Sequence, residues 1–303
     1  MTSIILLVNP NSGGHRSQKI VATIQNELDQ QQLTYDTLTS TSLAHLRELT
    51  LQIAQAYTPQ QKVIVIGGDG TIHHVVQTLV AHHYRIPLGF IPSGTGNDFA
   101  SKVLRHREPL SQLHDILRCE TPFILPILQS NQAIAINSFG IGFDAQVCHL
   151  VEHSKVKPLF NRLKIGFLSY LLLVIRALFQ FKTFDLTVDG TTYPKVAMAT
   201  FLNNPQFGGG LVLDPSLSIF DETAHAIIIH SLSLPKLISL LIKFARHTHL
   251  SHECVLKIPF TKMSIQFEPN IFTQADGEVN ELVGTSQHIQ LINYPFWFKA
   301  LNK

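Results

Sequence analysis

Three times within its first hundred residues the chain repeats one construction: an apolar run, a turn of glycine and polar residues, then a helical pattern. "SIILLVNPNSGG" leads into "QKIVATIQNELDQ", "KVIVIGGDG" into "TIHHVVQTLVAHH", and "IPLGFIPSGTGND" into "FASKVL". Unbroken apolar strands that alternate with helices call for a parallel sheet covered on both faces. In the second helix Ile72, Val75, Val76, Leu79 and Val80 recur at helical spacing and form one buried stripe.

The texture changes after residue 124. "QAIAINSFGIGFDAQV", "FDLTVDGTTYPKVAMATFLNN", "AHAIIIHSL", "CVLKIPFTKMSIQFE" and "QHIQLINY" read as strands joined by turns, with a hairpin tip at Asp189-Gly190. Two helical segments interrupt them, 158–181 and 234–246, the second opening near Pro235. The division expected is an α/β domain over 1–124, to which 292–303 is free to return, and a mainly antiparallel domain over 125–291.

The composition fits two such domains. Of 303 residues, 45% are hydrophobic and 15% charged, enough for a sizeable core. A net charge of +2 gives no footprint for nucleic acid. Cys119, Cys148 and Cys254 are scattered, with no CxxC pair, and point to a reducing compartment. "MTSIILLVNPNSGG" has no basic start and reads as a first strand, not a signal peptide. The expected location is therefore the cytoplasm.

In an open parallel sheet, ligands sit beyond the carboxyl ends of the strands, where loops lead into helices. Glycines there let the backbone approach a ligand, and bare amides near a helix N-terminus favour phosphate. Asn9–Gly14, Gly67–Thr71 and Ser93–Asp98 together have the make-up of a phosphate cradle. The Walker A loop, the complete GxGxxG fingerprint and the GxSxG elbow are all absent. A lone Asp69 in such a loop would be repelled by phosphate unless a cation lay between, and magnesium removes that conflict. The same turn also suits Asp69 as a cap for the helix that follows.

At these residues the chain resembles the bacterial diacylglycerol kinase and lipid kinase family, which includes sphingosine-kinase-like enzymes. The likeness lies in "NPNSGG" (9–14), "GGDGT" (67–71), "PSGTGNDFA" (92–100), "NSFGIGFDA" (137–145), "NNPQFGGG" (203–210) and "ADGE" (275–278), in matching order. It implies a Rossmann-like N-terminal α/β domain and a C-terminal antiparallel β-sandwich, as in the NAD kinase and diacylglycerol kinase-like fold. It further implies an ATP-dependent kinase for a lipid alcohol, diacylglycerol foremost. Sphingoid bases, phosphatidylglycerol and non-lipid alcohols stay open, as do NAD kinase activity and a catalytically weak binding protein.

By the same resemblance Asn9, Ser12, Gly13, Gly14, Thr39, Gly67, Gly68, Asp69, Gly70, Thr71 and Thr95 would contact ATP. Asp69 and Asp98 would organise the catalytic Mg²⁺ and its waters. Glu278 and Asp276 are both candidates for the base, with Glu278 slightly favoured. A structural magnesium would take Asp221 and the carbonyls of Ser218 and Thr223, although Phe220 and Glu222 depart from the family's Asp-Asp-Gly loop there. A second departure is "ILPI" at 124–127, where the family carries an Asp in its magnesium–water network.

A lipid kinase needs a membrane-facing surface. The apolar 158–181 segment is interrupted by Lys164 and Arg176, too soon for a span of about 20 residues. It reads as a core helix or as a helix lying in the interface, and 234–252 could assist it through Lys236, Lys243 and Arg246. The protein is thus expected at the inner face of the membrane as a peripheral partner, with a homodimer left open. His247, His249 and His252 cluster without a fourth ligand set. His73, His74, His82 and His83 are expected on the polar face of their helix.

Overall fold

The computed structural model describes residues 3–14, 16–106, 108–152, 182–208, 210–279, 282 and 284–299. Its first part alternates strand and helix: β1 (Ser3–Val8), α1 (Arg16–Gln30), β2 (Tyr35–Thr39), α2 (Leu43–Ala56), β3 (Gln61–Gly67), α3 (Asp69–Ala81), β4 (Leu88–Pro92), α4 (Asp98–Val103) and α5 (Pro109–Arg118). The strands are parallel in the order β2-β1-β3-β4. Ser42 caps α2 by accepting the amide of His45.

Both faces of this sheet are buried, as the continuous apolar strands require. Ile4, Leu6, Val8 and Ile64 pack with Ile20, Ile24 and Leu28 of α1 and Leu113 and Ile116 of α5. On the other face Leu7, Val63 and Val65 pack with Leu46, Leu49 and Ile53 of α2 and Ile72, Val75, Val76 and Leu79 of α3. A fully buried leucine or isoleucine is worth about 1.5–3 kcal/mol.

The second part comprises β5 (Phe123–Gln129), β6 (Ile134–Ala135), β7 (Ser138–Gly142), α6 (Phe143–Glu152), β8 (Phe184–Val188), β9 (Thr191–Leu202), β10 (Gln206–Phe207), β11 (Leu211–Val212), β12 (Ala224–His230), α7 (Leu234–Ala245), β13 (Val255–Phe260), β14 (Lys262–Phe267), β15 (Thr273–Ala275), β16 (Glu278–Val279) and β17 (Ser286–Trp297). Its pairings are antiparallel: β15-β7-β9-β8-β14-β17, with β12 between β9 and β13. Phe139, Ile141, Leu186, Phe201, Ile228, Met263, Ile265 and Ile289 form its core. The β8–β9 hairpin turns at Asp189 and Gly190, both at positive φ (46° and 85°).

The last strand joins the two parts. β17 pairs antiparallel with β14 through Gln290 and with β5 from Gln290 to Phe296, then parallel with β4 at Phe296 and Trp297. The strand runs beyond "QHIQLINY", through Pro295. Proline lacks an amide to donate, and it sits just where the partner changes. The 158–181 segment lies outside the described residues.

Candidate active site

The cradle loops leave the sheet at one level. Val8 is in register with Thr39 and with Ile66, and Gly67 with Pro92. The strand order reverses between β1 and β3, so the Asn9 and Gly67 loops flank the switch point where α/β sheets bind ligands. Thr39, Gly13, Gly14 and Thr95 are exposed on that edge, and Ser12 is half-buried.

The three loops touch one another. Asn9 Nδ2 donates to Thr71 Oγ1 (3.0 Å), and Ser93 N donates to the Gly67 carbonyl (2.7 Å). A Cβ on Gly13, whose φ is +63°, would lie 1.9 Å from the Ser93 carbonyl oxygen. A Cβ on Gly68 would lie 3.0 Å from Ser12 Oγ and 3.5 Å from Gly94 Cα. Only glycine lets these backbones approach so closely.

Asp69 opens α3 as its first residue, yet its carboxylate caps a different helix. It accepts the amides of Asp98 (3.1 Å) and Phe99 (3.3 Å) at the start of α4. Burial, then the charge of Asp98, push the Asp69 carboxyl up to about 6, with Asp276 adding to the effect and the two amides opposing it. A cation between Asp69 and Asp98 would relieve that repulsion, so these residues fit magnesium.

Asp98 is buried in a polar web. Gln206 Nε2 donates to Asp98 Oδ1 (3.1 Å) and Ser101 Oγ (2.6 Å), and Asn204 Nδ2 donates to the Asp98 carbonyl (3.3 Å) and Asn137 Oδ1 (2.7 Å). In the 124–127 stretch, where the resemblance implies a further Asp, Leu125 and Ile127 are fully buried in the apolar core.

The two acids of "ADGE" part company in the β15–β16 turn. Asp276, at φ +50°, points inward with its side chain 1% exposed. It accepts the amides of Ile136 (2.6 Å), Asn137 (2.8 Å) and Ser138 (3.0 Å), and meets His73 Nδ1 at 2.9 Å. That carboxylate is fully engaged in holding the turn. Glu278 is 40% exposed, and its Oε1 would lie 3.2 Å from a Cβ on Gly70 in the second cradle loop. A hydrogen bond from His74 holds the Glu278 carboxyl below the usual range, against the opposing pull of burial.

His73 and His74 are therefore not on a polar helix face: they are 0% and 7% exposed and bind the two hairpin acids. Their partners lie some two hundred residues away in sequence, so helical periodicity gave no sign of them. Gln206, Asn137 and Asn204 were likewise unassigned, though all three sit in quoted motifs.

In the 213–225 loop, Asp221 and Ser218 close on each other: Ser218 N donates to Asp221 Oδ2 (2.8 Å), and Asp221 N to the Ser218 carbonyl (2.9 Å). Thr223 is exposed. Two of the three expected ligands, the Asp221 carboxylate and the Ser218 carbonyl, thus each accept a hydrogen bond within the turn. His249 Nε2 meets the Leu213 carbonyl (2.7 Å), and His252 Nδ1 accepts the Cys254 amide (3.2 Å). Among the described residues no group of three or more His, Cys, Asp or Glu could hold a metal, and no helix is long and apolar enough to cross a membrane.

The family described as "Diacylglycerol kinase catalytic domain" matches residues 3–122, and the "YegS C-terminal NAD kinase beta sandwich-like domain" matches residues 137–290. "Putative lipid kinase YtlR" of Bacillus subtilis (strain 168) is 29% identical over 300 residues, covering 92% of this chain and 94% of its own. A "Putative lipid kinase" of Staphylococcus epidermidis (strain ATCC 12228 / FDA PCI 1200) is 26% identical over 222 residues, covering 72% of this chain and 70% of its own. A solved structure described as "a putative diacylglycerol kinase from Bacillus anthracis str. Sterne" superposes with a TM-score of 0.77 at 20% identity, covering 98% of both chains. That last likeness is one of fold.

Proposed function

The chain belongs to the bacterial diacylglycerol kinase and lipid kinase family, and from that premise we propose that it is an ATP-dependent lipid kinase. It transfers the γ-phosphoryl group of ATP to the hydroxyl of a lipid alcohol, diacylglycerol giving phosphatidic acid. The observation that carries this reading is the approach of Glu278 Oε1 to Gly70, which brings a half-exposed carboxylate to the rim of a three-loop phosphate cradle.

In this reading the amides of Gly13, Gly14 and Gly68–Gly70 grip the phosphates, those of Ser12 and Thr71 being given to the Asn9 and Gly68 carbonyls, with Thr39 and Thr95 at the rim. Asp69 and Asp98 would hold magnesium, which when bound neutralises charge on the phosphates. Glu278 takes the proton of the acceptor hydroxyl as its oxygen bonds the γ-phosphorus. The bond to the bridging oxygen breaks, and ADP leaves with that electron pair. Asp276, engaged by three amides and His73, keeps the hairpin in place.

The lipid must be reached at a surface. Ile238, Leu241 and Ile242 of α7 are 55%, 49% and 49% exposed at helical spacing, beside Lys236, Lys243 and Arg246. An apolar strip with basic neighbours suits an anionic bilayer, and supports peripheral contact with the inner face of the membrane.

The buried Leu125 at the position of a family carboxylate favours a second reading, a nucleotide- and lipid-binding protein of low turnover. Incubation with γ-labelled ATP, magnesium and a panel of lipid alcohols, with NAD as a further acceptor, separates the two. Label in phosphatidic acid supports the kinase. ATP binding without any labelled product overturns it.

A further inference from the structure

We propose that His74 is a positioning residue for phosphoryl transfer: it fixes the Glu278 carboxylate over the second phosphate loop in its ionised, proton-accepting form. This rests on the reading of Glu278 as the base.

The adjacent histidines of α3 divide the hairpin between them. His73 Nδ1 meets Asp276 Oδ2 at 2.9 Å, and His74 Nε2 lies 3.5 Å from Glu278 Oε1. Their rings meet edge to face, 5.0 Å apart and inclined at 75°. Both are buried, and each uses one nitrogen only: His73 Nε2 and His74 Nδ1 have no hydrogen-bond partner. A buried, unpaired ring nitrogen is unfavourable, so an apolar side chain would serve better if packing were the only task. What the imidazole adds at position 74 is its bond to Glu278.

The geometry also says which role His74 can take. A carboxylate only accepts, so Nε2 carries the hydrogen and donates it. With no partner at Nδ1, no relay continues inward from the ring. The acceptor's proton goes to Glu278 and leaves from there to solvent, through the exposed part of that side chain.

The groups facing Glu278 are His74 and His73 of α3 and Arg47 of α2, all of which favour the anion, with Asp276 across the turn. α6 also packs on β16, but it turns Asp144 toward Thr200 and Gln274 and stacks His149 on Phe272. Loss of the His74 donor therefore makes Glu278 easier to protonate.

The test compares kcat, KM for ATP and the pH profile of kcat/KM in the full chain carrying His74→Leu, His74→Gln, Glu278→Gln, or His74→Leu with Glu278→Gln. His74→Leu is expected to lower kcat about 10- to 100-fold, leave KM for ATP unchanged and move the acidic limb to higher pH. His74→Gln keeps an N–H donor and recovers most of kcat. In the Glu278→Gln background His74→Leu adds no further loss. A wild-type kcat and unmoved limb in His74→Leu, beside an impaired Glu278→Gln, overturn the role of His74. Should His74→Leu fail to fold, a His74→Gln rate as low as that of Glu278→Gln also overturns it, because the donor is then not what matters. A fully active Glu278→Gln overturns the reading of the base itself.

Discussion

The carboxylate of Asp69 caps α4 through the amides of Asp98 and Phe99, so one glycine loop holds the start of the helix that follows the next. This bond sets two acids side by side and fixes their spacing without any ligand. Asp69→Asn removes the charge and keeps an oxygen for one of the two amides, which Asp69 accepts on separate oxygens. Turnover and magnesium dependence should fall about 10- to 100-fold or more, while metal-free ATP binding, followed by calorimetry, changes little. Wild-type turnover would remove Asp69 from the metal site.

Asp276 and Glu278 should separate under substitution. Asp276→Asn turns an amide group toward donors, leaving buried groups unpaired at roughly 1–3 kcal/mol each. It should lower the melting temperature markedly. Glu278→Gln should leave the melting temperature within a degree or two, roughly the effect of a neutral surface change, and lower kcat about 10²- to 10⁴-fold. The reverse pattern would exchange the two roles.

Gly13 and Gly14 both have positive φ, yet they differ in surroundings. An added Cβ at Gly14 meets nothing within 4 Å, whereas at Gly13 it meets the Ser93 carbonyl. Gly14→Ala should cost about 1–2 kcal/mol of backbone strain. Gly13→Ala should cost about 1–3 kcal/mol more from overpacking and weaken ATP binding as well. Denaturant melts and ATP titrations of the two variants check the order.

Asp144 gives a stability signature. It is 6% exposed, accepts from Thr200 Oγ1 (3.2 Å) and Gln274 Nε2 (3.3 Å), and burial pushes its carboxyl up to about 6 against these hydrogen bonds. The unfolded value is 3.8, so between 3.8 and about 6 the native state binds more protons. Stability from this group is full below 3.8 and falls as pH rises through about 6, by about 3 kcal/mol. Denaturation across pH 4 to 7.5, a window of roughly the two pKa values, should show this slope in wild type and a shallower one in Asp144→Asn, where Asp69 still contributes. Equal slopes would refute it.

At the exposed strip of α7, Ile238→Glu with Leu241→Glu should abolish flotation with vesicles of anionic lipid while ATP binding stays unchanged. Undiminished flotation would move the membrane contact elsewhere.

The parallel sheet and the place of its glycine loops were legible because local pattern decides them: Val63 to Ile66 is apolar throughout, and Gly67 to Gly70 marks where the strand gives way to a helix. The hairpin tip at Asp189-Gly190 is local in the same way. His73 and His74 were not legible, since their burial depends on a turn two hundred residues on. Nor was the target of Asp69, because a carboxylate in a bare loop fits its own helix or a neighbour's equally well. That Asp276 is buried and Glu278 half-exposed follows from which way a left-handed turn aims each side chain. Residue types carry no record of that.

β17 belongs to the ladders of both halves, with Pro295 at the point of exchange. A molecule spliced in this way cannot open like a clam on a slack tether. Proteolysis between residues 118 and 123 would leave the pieces still bound through their shared strand. Any relative movement of the two halves must therefore pass through the strand they share.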